Sequence, residues 1–161
     1  MKALVLMRGC PGSGKTSLLR ELGLDIYSLS SDSLRLMYGS PVLGLDGELS
    51  ISQSNNDIVF ETLYEMLEHR MSNGEFTIVD ATHCSSNKTV QKQISEYRKL
   101  AKRYNYRMYQ YDMTTSEEQS LLNNESRKGT PQYVPIDVVK KMQEVLRSMP
   151  KMHRDITKID S

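Results

Sequence analysis

Apolar residues along this chain fall into two patterns that alternate from the N-terminus onward. Short unbroken apolar runs bounded by turn residues read as buried strands, and apolar positions three and four apart read as one face of a helix. The run at 3–7 predicts a first strand, and residues 15–22 a first helix stopped by Gly23. Residues 26–29 alternate apolar with polar and predict a second strand, followed by a short helix over 32–38 that ends at Gly39. Residues 40–56, rich in Gly, Ser and Asn with one Pro, predict a mobile loop. Val59, Leu63, Met66, Leu67 and Met71 keep helical spacing up to Gly74, and 76–79 then predicts a buried strand closing on Asp80.

Further on, Val90, Ile94, Tyr97, Leu100 and Tyr104 mark the apolar stripe of a helix, and a strand is expected at 106–111. Thr115 with Glu118 reads as a capping box for the next helix, which fades through Asn123 and Asn124 into Arg127-Lys128-Gly129-Thr130-Pro131. A last helix is expected from Ile136, behind Pro135, and a final short strand at 155–159. Strands alternating with helices define an α/β protein with a central parallel sheet of four to five strands flanked by helices. At 161 residues, with no internal repeat and no low-complexity tract, residues 1–161 are expected to form one domain.

A net charge of +1 and a pI near 7.7 exclude a strongly basic coat, so any polyanion must be gripped by a local patch. Lys88, Lys92, Arg98, Lys99, Lys102, Arg103 and Arg107 bias the 85–107 region, and we read them as solvated helix surface. The 10 methionines, spread through the apolar stripes, read as core filling. No apolar stretch approaches the length of a membrane span and the N-terminal run is shorter than a signal peptide, so a cytoplasmic protein is expected. Cys10 and Cys84 lack metal-ligand spacing and are expected as thiols.

The run Gly9-Cys10-Pro11-Gly12-Ser13-Gly14-Lys15-Thr16, with Ser17 behind it, fits the pattern GxxxxGK(S/T) at every fixed position and follows the first strand. Its glycines let successive backbone N–H groups turn toward phosphate oxygens. Lys15 then reaches the β and γ phosphates of ATP, and the Thr16 hydroxyl ligates magnesium. Asp32, at the end of the second strand, suits a general base toward an alcohol, although Asp also serves commonly as a helix N-cap. Arg35, three residues on, shares its helical face and can grip a phosphate on the same acceptor. Asp80 can orient Arg35, hold magnesium through water, or simply close its strand into a turn. Arg127 or Lys128 can supply a mobile cation over the transferred phosphoryl group, or be a solvated basic turn.

Together GCPGSGKT, SSDSLR, IVDAT and KGTPQYVPIDVV resemble the P-loop kinase domain of bacteriophage polynucleotide 5′-kinase and the matching modules of RNA repair enzymes, over nearly the whole chain. The resemblance implies a P-loop kinase fold using ATP and magnesium, with a nucleic-acid 5′-hydroxyl end, RNA or DNA, as acceptor. It implies Asp32 as general base, Arg35 on the phosphate 3′ to the terminal nucleotide, and Asp80 as an active-site aspartate. A covalent or functional link to a ligase or phosphatase module of a larger end-repair protein also fits. The chain itself carries no DxDGT phosphatase signature. The family's first lid arginine is missing from Asn123-Asn124-Glu125-Ser126-Arg127, and Arg127 is preferred over Lys128 as the surviving cation for its bidentate geometry. His83 stands where the family usually has Asn, and no role is assigned to it. The competing readings are a small-molecule kinase acting on a sugar, nucleoside or antibiotic hydroxyl, and an ATP-binding switch without transfer.

Overall fold

Five strands pair in parallel in the order β2-β5-β1-β6-β7, numbered along the chain, and the ligand-facing edge is set by where each one ends. The computed structural model describes residues 1–83 and 88–149 in full, and the backbone of 157–160. Strand β1 (Ala3–Arg8) lies between β5 (Thr77–Asp80) and β6 (Arg107–Asp112), with β2 (Ser28–Ser30) and β7 (Thr157–Asp160) at the edges. A central parallel strand is covered on both faces, which is why β1 reads as an unbroken apolar run over 3–7 and why all four residues of β5 are buried, polar Thr77 and Asp80 included. Period 2 then divides the β1 side chains between the faces. Leu4 and Leu6 join a core with Val59, Leu63, Leu67 and Met71 of α3 (Asn56–Ser72) and Ile94, Tyr97 and Leu100 of α4 (Lys88–Tyr104). Val5 and Met7 face the other way, with Ile78 and with Leu19 of α1 (Lys15–Glu21). The fully buried aliphatic ones among them, such as Leu4, Leu6, Leu63 and Leu67, each contribute about 1.5–3 kcal/mol of apolar burial.

Three expectations about local structure are corrected. The second strand does not begin at Ile26: residues Asp25–Tyr27 form a single 3₁₀ turn, leaving Ile26 exposed, and ladder pairing starts only at Ser28. An edge strand needs only the residues that meet β5, and Arg70 Nη1 donates to the Tyr27 carbonyl to hold the turn. Residues 40–56 are not simply a loop. They contain a hairpin, β3 (Val42–Leu43) with β4 (Leu49–Ser50), closed by the Gly44 N–H bond to the Glu48 carbonyl and by Asp46 Oδ1 accepting from Glu48 N. Finally, Ser116 and not Thr115 caps α5 (Glu117–Glu125), accepting from Gln119 N at 3.1 Å, because the Thr115 hydroxyl is drawn away to a backbone carbonyl of the loop after β1. The expected last strand is present as β7, while its predicted start at 155 and residue Cys84 lie outside the described residues. Among the described residues no helix is long and apolar enough to cross a membrane.

Candidate active site

The chain leaves β1 at Arg8 and turns through Gly9–Gly14 into α1. Gly12 and Gly14 sit at φ +81° and +88°, in the left-handed region that side chains disfavour. Gly12 is required twice over: a Cβ there would lie 2.1 Å from the Ser120 carbonyl oxygen of α5. Two polar side chains that the sequence reading missed clamp the same loop from outside. Asn123 Nδ2 donates to the Gly12 carbonyl at 2.9 Å, and Thr115 Oγ1 donates to the Ser13 carbonyl at 2.7 Å. The Gly12 and Ser13 carbonyls are thus held by side chains, and the Gly9 and Ser13 N–H groups donate to the Thr82 and Cys10 carbonyls, so an anion nest in this turn would draw on its remaining N–H groups. Lys15 Nζ donates to the Gly9 carbonyl at 2.7 Å and the Cys10 carbonyl at 3.3 Å, so its ammonium bridges the loop it must serve. Cys10 is a buried thiol, as expected.

Parallel register brings Ser30, Asp80 and Met7 level at the C-terminal edge of three adjacent strands. That alignment sets Asp80, itself buried, beside α1, where its Oδ2 accepts from Thr16 Oγ1 at 2.8 Å. Of the roles open to Asp80, orienting Arg35 is not what is found: Arg35 bonds to Asp32, Ser31 and Asn56 instead. His83, three residues on, is buried with φ +47°, and its Nδ1 must donate because its partner is the Met7 carbonyl, at 2.9 Å. Burial holds the imidazole below its ordinary titration range, reinforced by the Lys15 charge and opposed by the Met7 bond and by Asp80. Among the described residues His83 Nε2 has no hydrogen-bond partner. Also unforeseen is Arg8, whose guanidinium forms a two-point pair with Asp112 (2.8 and 2.7 Å), tying the end of β1 to the end of β6.

On the other side of the Asp80 edge, β2 runs directly into α2 (Ser31–Tyr38). Ser30 caps this helix by accepting from Ser33 N, so Asp32 is not the N-cap and its carboxylate is released for other work. Asp32 is 62% exposed and bonds to Arg35 Nη1 at 2.6 Å; the Arg35 side chain is only 10% exposed. Arg35 also donates from Nε to Asn56 Oδ1 at 2.9 Å, and its guanidinium lies 5.5 Å from the Phe60 ring centre. Beyond α5, Lys128 pairs with Glu125 at 3.8 Å, while the Arg127 side chain makes no hydrogen bond or ion pair among the described residues. The buried Asn124 ties both ends of this segment together through Val134, its amide donating to the Val134 carbonyl at 2.7 Å and accepting from Val134 N at 3.1 Å. Gly129 N reaches the hairpin, donating to Glu48 Oε2 at 3.0 Å.

A glycine-bound phosphate loop, a lysine, and a Thr–Asp pair at the end of adjacent parallel strands define the P-loop class of nucleotide-binding domains. Within it, the chain belongs to the AAA domain family (AAA_33), which matches residues 4–149. The fold is that of P-loop kinases. A structure from Chloroflexus aurantiacus j-10-fl, provisionally described as a kinase, has a TM-score of 0.65 at 19% identity, with 98% of this chain and 87% of that one covered. A sugar kinase from Janibacter sp. HTCC2649 gives 0.59 at 15% identity over 100% and 85% of the two chains. A chain of the Pnkp1/Rnl/Hen1 complex gives 0.57 at 20% identity, over 74% of this chain and 38% of that one. At such identities the likeness is one of fold. No curated protein matches the sequence.

Proposed function

We propose that this protein is an ATP-dependent polynucleotide 5′-hydroxyl kinase, built as one unit over residues 1–161. The observation that carries the reading is Asp32 beside Arg35 on α2, where β2 ends level with Asp80 and the phosphate loop. An alcohol acceptor needs a carboxylate at its hydroxyl, and a polynucleotide end brings a phosphate one nucleotide linkage away that an arginine can hold. Thr16 Oγ1 and Asp80 Oδ2 are hard oxygen donors of the kind magnesium takes. Among the described residues no cluster of three or more acidic, His or Cys side chains could cage a metal, so the phosphates of ATP would have to complete its shell. When bound, magnesium neutralises charge on the β and γ phosphate oxygens.

Asp32 accepts the proton of the 5′-hydroxyl as that oxygen bonds to the γ-phosphorus. The bond from γ-phosphorus to the β–γ bridging oxygen breaks, and ADP leaves. Lys15 and Arg127 stabilise the charge on the group in transit, with the loop N–H groups of Gly9–Ser17 holding the rest of the triphosphate. The family and fold support phosphoryl transfer in general. The likeness in fold to a chain of the Pnkp1/Rnl/Hen1 complex is compatible with a partner ligase or phosphatase module.

A small-molecule kinase is the second reading, favoured by the more extensive likeness in fold to a sugar kinase, which covers 100% of this chain against 74% for the chain of the Pnkp1/Rnl/Hen1 complex. Against it, an uncharged sugar offers Arg35 no phosphate partner. The test offers γ-labelled ATP with a 5′-hydroxyl oligonucleotide and, separately, with sugars and nucleosides. Label in the oligonucleotide is expected; label confined to the small acceptors overturns the assignment.

A further inference from the structure

Two loops on opposite sides of the site are each closed at the base by an asparagine. Residues 39–55 leave the end of α2 and return to α3, and there Asn55 Nδ2 donates to the Tyr38 carbonyl at 3.3 Å. The segment between α5 and α6 is closed by the two bonds that Asn124 makes with Val134. The first loop arises on the β2 side of the sheet and the second follows β6, so β5 and β1, with Asp80 and the phosphate loop, lie between them. From β2 to β6 is about 14 Å at ordinary strand spacing. The two loops nevertheless meet, through the bond from Gly129 N to Glu48 Oε2 at 3.0 Å.

That meeting is prepared on both sides. The hairpin turn uses both backbone polar groups of Glu48, its N–H on Asp46 Oδ1 and its carbonyl on the Gly44 N–H, so the side chain springs from a fixed backbone. Among the described residues the bond to Gly129 is the one hydrogen bond that leaves the hairpin, whose Val42, Leu43 and Leu45 side chains are exposed and give it little packing of its own. Opposite, the Arg127 backbone is also fixed, its N–H on the Asn124 carbonyl and its own carbonyl accepting from both the N–H and the hydroxyl of Thr130. Gly129 and Arg127 therefore move together. A carboxylate accepting from a backbone N–H makes a charge-assisted bond, roughly twice as strong as a neutral one.

We propose that Glu48 is a positioning residue for phosphoryl transfer: the hairpin is a clasp that reaches across the ends of β5 and β1 and holds the Arg127 segment over the transferring group. This rests on the kinase reading above and deepens it, because the cation is then set in place by the stretch of chain that joins Asp32 and Arg35 to Asn56. Placing a charged group to within a fraction of an ångström of the reacting atoms is where such a tie acts on rate.

Two readouts test it. Without ATP or acceptor, the Gly129 amide proton is followed by NMR. It is expected to be protected in the wild type, to exchange about tenfold faster in Glu48→Ala, and to fall between the two in Glu48→Gln, whose amide oxygen still accepts. A Gly129 amide that behaves alike in all three proteins overturns the clasp. With γ-labelled ATP and a 5′-hydroxyl oligonucleotide, Glu48→Ala is expected to lower kcat about tenfold with the KM for ATP within about twofold, and Glu48→Gln to recover most of the loss. In an Arg127→Ala background, Glu48→Ala is expected to change kcat by less than about twofold, since no cation remains to be placed. Full additivity of the two substitutions, or a wild-type kcat in Glu48→Ala, overturns the positioning role. A Gly129 response as expected with no label in any hydroxyl acceptor counts against the kinase reading alone.

Discussion

The phosphate-loop side and the α2 side of the site, which we propose hold donor and acceptor, are built to different standards of rigidity. On the proposed donor side the phosphate loop is braced at several points: Gly12 against the α5 backbone, Gly12 and Ser13 carbonyls by Asn123 and Thr115, and Thr16 by Asp80. On the acceptor side one arginine is braced and the carboxylate beside it is not. A triphosphate is the same in every turnover and rewards a preformed cradle. An acceptor must be recognised and then acted on, and in the proposed scheme the braced arginine meets the first need and the exposed carboxylate the second.

Substitutions that exploit this contrast should differ widely in size. The largest effect is expected from Gly12→Ala, which drives a methyl into the Ser120 carbonyl and forces a side chain to positive φ. Calorimetric ATP binding should be lost, with about 1–3 kcal/mol of stability. Asp32→Asn keeps the helix, because Ser30 is the cap, and should cut kcat by about 10²–10⁴-fold with little change in ATP affinity. A substantial loss of ATP binding in that variant would erase the division between the two sides. Next comes the basic segment: Arg127→Ala should lower transfer about 10²-fold and Lys128→Ala only about twofold, since Lys128 is already engaged by Glu125. The reverse order would make Lys128 the donor-side cation.

Smaller still is Asn123→Ala, expected to cost about 1 kcal/mol in denaturant unfolding and to weaken ATP binding more than acceptor binding. The last is a matter of pH. His83 resists protonation when folded, because it is buried. As pH falls below about 6.5 the unfolded chain takes the proton more readily, so it binds more protons than the native state and stability declines. His83→Gln should flatten that acid limb when urea midpoints at pH 5 and 7.5 are compared, while leaving the neutral-pH midpoint less affected.

How much of this was legible in the sequence follows from how local each determinant is. The phosphate loop was readable because eight consecutive residues carry it, and β1 because a central strand needs an unbroken apolar run. Asp32 and Arg35 were readable as a pair because helical geometry places residues three apart together. The Arg8–Asp112 tie joins residues 104 apart, and the clamp from Asn123 to Gly12 joins residues 111 apart; no local pattern announces either. Thr115 and Ser116 are both competent caps, and only the tertiary pull of Ser13 decides between them. The hairpin within 40–56 escaped because its strands are two residues long, although Asp46-Gly47 is a turn signal that favours one. Met66 keeps helical spacing yet is 39% exposed, since a stripe of every third and fourth residue is wider than the face α3 buries.

The acceptor side is where the proposed chemistry is most directly seen or refuted. The decisive measurement is a crystal structure with a non-hydrolysable ATP analogue and a 5′-hydroxyl dinucleotide. The terminal 5′ oxygen is expected within about 2.6–3.2 Å of an Asp32 carboxylate oxygen, with the internucleotide phosphate on Arg35. A dinucleotide bound elsewhere, or an Asp32 still paired to Arg35 with the hydroxyl out of reach, would contradict it.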